Sequence, residues 1–401
     1  MRLPILTATP SSIRKVNRSI ILELIRRRQP VSRAELARLT GIFRSSVSDI
    51  VDELVAENLV TEEKGVPSQR GRVPFSLRLN DAAYPVLGLN IRPAYSQIAW
   101  AGLSGDIQAT LNIPTPRSPS RLVQAVAECI ERMREQLGMP RRDGFRSMGI
   151  AVPGHADAAT GTILWTPTHK ELNGFAIADE IYKHTGVPAL VDNDCNLGAL
   201  SELWLSTKEE KDRGSDFVFL NISDFGAGAG ALIDGEIFLG HDTHFAGEVG
   251  HMVVEPEGEL CGCGRHGCWE RYVCNEATWR RVHPRTPFSV ERFEEMLKAA
   301  RQGNSAALAS IHETAKYLSL GVSNIGFIFN PSSIAVAGRI TAIWDVIEQE
   351  VQTRYGSHRL NYVIRPARLS ADDSLLHGAV CLAVRDVFTG PKFGETSALY
   401  A

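Results

Sequence analysis

Four stretches, GIAVPG (149–154), ALVDND (189–194), FVFLNIS (217–223) and SIAVAG (333–338), each carry a short apolar run that stops abruptly in a turn. Runs of this length with turn signals at their ends read as buried strands. Long amphipathic segments lie between them, among them SRLVQAVAECIERMREQLG (120–138), AALASIHETAKYLSLGVSNIGFIF (306–329) and WDVIEQEVQTRYG (344–356). Upstream, PVLGLNI (85–91), SQIAWAGL (96–103) and DIQATLNI (106–113) read as three successive strands, and GAGALIDGEIFLG (228–240) as a further one. A β-β-β-α-β-α opening followed by a similar second half predicts two α/β lobes. Ligands of such folds sit in the cleft at the carboxyl ends of the strands.

The first 80 residues follow another pattern, and 401 residues leave room for two or three domains. VNRSIILELIRRRQP places Val16, Ile20, Ile21, Leu24 and Ile25 at helical spacing and stops at Pro30. SRAELARLTG offers Ser32 as a cap, Glu35 as its capping-box partner and Gly41 as a breaker. A third helix carries Val47, Ile50, Val51 and Leu54 as its buried stripe, and two short strands follow around a Gly/Pro/Ser/Arg-rich tip. This order predicts a winged helix-turn-helix over residues 1–80, ahead of a body over 81–401. Charge agrees: residues 1–80 carry +6 and the rest −9, within a net −3, so a basic module that meets a polyanion precedes an acidic body. Double-stranded DNA is the expected partner. Arg44, Ser45, Ser46 and Ser48 would face base edges from the third helix, and Arg70 and Arg72 would reach phosphate or the minor groove from the wing. The plainer alternative is a small helical domain with ordinary surface arginines.

CGCGRHGCWE (261–270) packs three of seven cysteines into eight positions. No apolar run is long enough to span a bilayer, and the start of the chain lacks the pattern of a secretory signal, so a cytoplasmic protein is expected. In a reducing compartment such a cluster favours metal over disulfide. Cys261, Cys263 and Cys268 would supply three thiolates to a structural zinc ion, with His251 the preferred fourth ligand and His266, Cys274 and His244 as rivals. A redox cysteine pair is the alternative. Cys129, Cys195, Cys274 and Cys381 are scattered and read as small apolar residues. Asp194 stands at a strand's carboxyl end, where a carboxylate could take a proton from a hydroxyl, though an Asn-Asp pair there is also an ordinary turn cap. Glu248, His251 and Glu270 come from other loops. Together they could form a hydrogen-bonding cup for a polyol.

GEVGHMVVEPEGELCGCGRHGCWE closely resembles the signature of the ROK family of repressors, open reading frames and sugar kinases. GIAVPGHAD, VDNDCNLGALSE, ALIDGEIFLG, FNPSSIAVAGRI and LLHGAV agree with it, and the resemblance spans about residues 82–390. It implies a two-lobed actin-like, hexokinase-like fold of the ATPase type behind the winged helix. It implies sugar contacts from Asn193, Asp194, Glu248, His251 and Glu270, and zinc on His251, Cys261, Cys263 and Cys268. Asp194 matches the kinase base. The sequence departs where the family's kinases hold phosphate. NIRPAYS (90–96) stands in place of an Asp-Ile-Gly-Gly-Thr loop, DFGAG (224–228) in place of a Gly-Thr-Gly-x-Gly loop, and Ala337 where a second glycine is usual. Proline removes a donor, and side chains block close backbone approach to an anion. The expected function is therefore a sugar-responsive transcriptional regulator, a non-enzymatic repressor acting as a homodimer or homotetramer on a two-fold operator. The alternatives are a bifunctional sugar kinase and a regulator that senses a protein partner.

Overall fold

The computed structural model describes residues 10–64, 75–139, 144–207, 216–240, 246–353 and 362–388. It opens with α1 (Pro10–Arg28), α2 (Arg33–Thr40) and α3 (Arg44–Ala56), then β1 (Val60–Lys64) paired antiparallel with β2 (Phe75–Leu79). Ser32 accepts the Glu35 N–H at 3.2 Å, and Gly41 closes α2 at φ +71°, so cap and breaker act as their types dictate. α3 buries Val47, Ile50, Val51 and Leu54, the expected stripe. α1 differs from its expectation. It begins before Val16, and it buries Ile21, Leu22 and Ile25 while Ile20 remains 43% exposed. The reason is packing from the body: Ile21, Leu22 and Ile25 share one apolar cluster with Val86, Ala99, Leu103, Leu376, Val380 and Phe388.

The first lobe contains β3 (Val86–Asn90), β4 (Tyr95–Ala101), β5 (Ile107–Pro114), α4 (Pro119–Gln136), β6 (Met148–Val152), the hairpin of β7 (His155–Asp157) and β8 (Thr162–Trp165), α5 (Ile177–Thr185) and β9 (Ala189–Asn193). Its sheet runs β5-β4-β3-β6-β9, antiparallel across the first three strands and parallel beyond. α6 (Asp194–Leu205) leads out of it. The second lobe contains β10 (Phe217–Ile222), β11 (Ala227–Ile233), β12 (Glu236–Ile237), α7 (Asn275–Val282), α8 (Val290–Arg301), α9 (Ser305–Phe329), β13 (Ser333–Gly338), α10 (Trp344–Thr353) and β14 (Val363–Pro366). Its sheet runs β12-β11-β10-β13-β14 with the same alternation of directions. The two lobes thus repeat one topology, as the similar halves of the sequence pattern implied.

α11 (Ala371–Phe388) returns to the first lobe and packs on α6, β3 and β6. Contact with β6 is so close that a Cβ on Gly149 would overlap the Ala379 carbonyl, so glycine is required there. The segment expected as one strand over 228–240 instead folds into β11 and β12. Asp234 (φ 54°) and Gly235 (φ 76°) make the turn, and left-handed residues at both central positions suit a two-residue hairpin. Among the described residues, no helix is long and apolar enough to cross a membrane.

Candidate ligand and metal site

His251 ends a short 3-10 turn, and Cys261, Cys263 and Cys268 come from the loop that follows. Their candidate ligand atoms all lie within 4.8 Å of one another. Cys263 Sγ is 3.5 Å from Cys268 Sγ, and Cys261 Sγ is 3.6 Å from His251 Nδ1. A tetrahedral ion with bonds near 2.3 Å needs ligand separations of about 3.7 Å, so the donor set fits a metal as it stands. The loop folds back through bridges Val253↔Cys268 and Leu260↔His266. Gly267 (φ +71°) lies against the Glu255 carbonyl where no Cβ would fit. Of the rival ligands, His266 Nδ1 lies 2.9 Å from the Gly258 carbonyl instead, Cys274 accepts the Ala277 N–H at the start of α7, and His244 lies outside the described residues. All seven cysteines are free thiols, and the four scattered ones are buried.

The same histidine faces a second group of residues. His251 Nε2 lies 3.6 Å from Glu248 Oε2, and Nδ1 lies 3.7 Å from Glu270 Oε1. Glu270 Oε1 also lies 3.0 Å from Cys261 Sγ, so the carboxylate stands directly beside the knuckle. Asp194 is the first residue of α6, and its Oδ1 accepts the Cys195 N–H at 2.8 Å. Its pKa is pushed up to about 6, chiefly by burial; the Cys195 N–H opposes this, and the negative charge of Glu248 adds to it.

Asn193 fills the cap role of α6. Its Oδ1 accepts the Cys195 and Asn196 N–H groups at 2.8 and 3.1 Å, and its Nδ2 donates to the Gly154 carbonyl at 2.6 Å. One amide hydrogen is left for a ligand. The structure also brings in His155, which sequence reasoning missed. This buried side chain puts Nε2 3.5 Å from Glu248 Oε1 and its ring 5.6 Å from that of Trp165. The signal was present in PGHAD (153–157), a histidine directly after a strand-ending Pro-Gly.

A cavity of about 550 Å³ opens nearby between the lobes, with Arg92, Asn221, Asp224, Asn275, Arg339 and Asp372 in its wall. Several of its charges are paired, while Lys298 and Arg301 also line it. Asp224 Oδ1 accepts from Asn275 Nδ2 at 2.8 Å and meets Arg339 Nε at 3.2 Å; Arg339 also meets Glu294 at 2.7 Å. Arg92 pairs with Asp372 at 2.6 Å and donates to Tyr95 Oη at 2.7 Å. These are the two loops, NIRPAYS and DFGAG, that depart from the family pattern.

In the N-terminal module, Arg44 and Ser45 are exposed at the start of α3, while Ser46 and Ser48 are half-buried. The Ser48 carbonyl accepts from Arg33, which is otherwise engaged with Asp52 and Glu62. Arg70 and Arg72 lie outside the described residues.

The ROK family model matches residues 86–386, and the MarR family model matches residues 15–71. The chain is 25% identical to the xylose repressor of Caldicellulosiruptor bescii, over 95% of this chain and 98% of that protein. It is also 25% identical to the DNA-binding transcriptional dual regulator NagC of Escherichia coli, over 94% of each. The crystal structure of a ROK family transcriptional regulator, described as a homologue of the Escherichia coli MLC protein, superposes with a TM-score of 0.77. Its identity is 24%, with 94% of this chain and 98% of that one covered.

Proposed function

The chain belongs to the ROK family, and from that premise we propose that it is a sugar-responsive DNA-binding transcriptional regulator. In this reading it represses carbohydrate-utilisation genes from the cytoplasm. Residues 1–80 bind the operator, and residues 81–401 bind the sugar and assemble a homodimer or homotetramer for a two-fold site. Asn193, Asp194, Glu248, His251 and Glu270 hold the hydroxyls. A structural zinc ion on His251, Cys261, Cys263 and Cys268 fixes the loops that carry Glu248 and Glu270. When bound, zinc supplies rigidity and a set imidazole orientation, with the other ring nitrogen left for the ligand. The full-length likeness to proteins named as repressors supports this reading.

The observation that carries it is α6. Asn193 and Asp194 stand at its first turn, in the cup. Trp204 stands at its last turn, where the Arg26 guanidinium of α1 lies 4.0 Å from the indole centre and donates to the Trp204 carbonyl at 3.3 Å. One rigid element therefore touches both the ligand site and the DNA-binding module. A ligand that prefers one placement of α6 would shift the fit of the paired winged helices to DNA.

The experiment is to measure operator-fragment binding at fixed salt while titrating sugars, starting with xylose and N-acetylglucosamine. A change in affinity with at least one sugar supports the reading, and indifference to all of them overturns its sensing half. Asp194 favours a second reading, a sugar kinase, because a carboxyl held near pKa 6 suits a general base. Against it, Asp224 and the Arg92-Pro93-Ala94 turn occupy the phosphate loops. ATP turnover with hexoses that disappears in Asp194→Asn would establish the kinase.

A further inference from the structure

Phe43 occupies the N-cap of α3 and is 83% exposed, more than any other large apolar residue among those described. Ser, Thr, Asp or Asn is preferred at an N-cap because the side chain can satisfy a free N–H. Here there is no such side-chain bond. Phe43 contributes only its carbonyl, which accepts the Val47 N–H at 3.0 Å. Nor is its ring needed for packing. An apolar residue just before the cap commonly staples onto the fourth helical position. Ile42 does this by packing on the cluster that contains Val47. Phe43 thus forgoes a stabilising cap and buries almost nothing, so the folded chain gives it no task.

Its surroundings point to an occupant. Phe43 shares an open groove at the α2–α3 turn with Arg38 and Arg44. Glu35 also lines the groove and meets Arg38 at 3.7 Å, so it is Arg44 beside the exposed ring, in a module of net charge +6, that suits the patch to a polyanion with an apolar edge better than to an apolar protein face. In the major groove the apolar group on the base edges is the thymine C5-methyl, and Phe is among the side chains that contact it. The first residues of the second helix of this motif approach the base edges. We propose that Phe43 is a specificity-determining residue that reads a thymine methyl in each half-site, while Arg44 and Ser45 beside it supply the polar contacts. This rests on the DNA-binding reading above and goes beyond it, because it assigns one base to one side chain.

The full-length protein is used to select binders from a pool of random-sequence duplexes. In the selected duplexes each thymine is then replaced in turn by deoxyuridine, which lacks only the methyl. At one thymine per half-site, wild type should lose roughly three- to fivefold in affinity, the worth of one buried methyl group. Phe43→Ala should bind the thymine duplex about as weakly as wild type binds the deoxyuridine duplex, with no further loss on replacement. Phe43→Leu should keep part of the penalty. Melting temperatures of both variants should match wild type, since the ring is exposed. Selected duplexes with no methyl-sensitive thymine, or a Phe43→Ala protein with the wild-type penalty, would overturn the assignment alone. A wild type that selects no duplex overturns the DNA-binding reading and the assignment with it.

Discussion

The two ends of the interlobe cleft use the same residue types and treat them oppositely. At the knuckle end, Glu248, His251 and Glu270 lie 3.6 to 3.7 Å apart in a chain of near contacts, each anchored by a short loop or a thiol rather than a countercharge. Charge and hydrogen-bonding capacity are left for a ligand. At the cavity end, Asp224 is matched by Arg339 and Arg92 by Asp372. A polyphosphate would have to break these ion pairs to use their cations, and Lys298 and Arg301 are the other bases in the wall. The difference is one of pairing: carboxylates and an imidazole gathered without countercharges at one end, acids matched by arginines at the other.

The largest expected effect comes from the anchor. Cys263→Ser should lower metal content and weaken sugar binding at least tenfold, while DNA binding without sugar persists. Metal analysis and isothermal titration read both. Asp224→Asn, at the other end, should change sugar affinity less than twofold. If Cys263→Ser keeps its metal and its sugar affinity, the contrast between the two ends fails.

The next effect concerns transmission. Trp204 touches Arg26, and its ring meets Phe388 edge-on at 5.2 Å. Trp204→Leu should leave sugar affinity in place but cut the sugar-induced change in operator affinity about fivefold. Fluorescence anisotropy of a labelled operator with and without sugar measures it. A variant with undiminished coupling would mean that the knuckle end is wired to the DNA module by another route.

Asp194 gives a smaller, pH-dependent effect. Its folded pKa of about 6 lies above its ordinary 3.8, so the folded state binds this proton more tightly than the unfolded chain. The stability this provides is full below about pH 4 and is lost as pH rises through about 6. Asp194→Asn removes the dependence. Variant and wild type should melt alike near pH 4, and the variant should be more stable by about 2 kcal/mol at pH 8, allowing for water in the cleft. At Asp224, where Arg339 compensates the charge, the same change should bring no gain. Melting curves across pH decide it.

Much of this was legible in sequence because it rested on local chemistry. Ser32, Gly41 and the α3 stripe follow from capping and helical period. The Cys261, Cys263 and Cys268 spacing with its glycines implied a knuckle before any fold was known. What could not be read depends on contacts between distant segments. Ile20 looked equivalent to Ile21 by spacing, and only the packing of α1 on the other elements separates them. His155 joins the cup because the loop after β6 is tied to Asn193 across 39 positions. The pairing of Arg92 with Asp372, far apart in the chain, had no local signal at all.

The smallest effect sharpens the comparison with one residue type. Asn90 and Asn193 each end a strand of the first sheet, β3 and β9. Asn193 makes three hydrogen bonds with the chain. Asn90 is buried, 1% exposed, yet neither Oδ1 nor Nδ2 has a hydrogen-bond partner among the described residues. Leucine has the same branched heavy-atom shape as asparagine. Asn193→Leu should cost about 1–3 kcal/mol, because a cap and the carbonyl it held are both left unsatisfied. Asn90→Leu should fall within about 1 kcal/mol of wild type on either side, since the amide it removes was desolvated without return. Urea unfolding of the two variants compares them directly. Equal losses would mean that the Asn90 amide is satisfied in the folded protein, and the contrast between the two asparagines would fail.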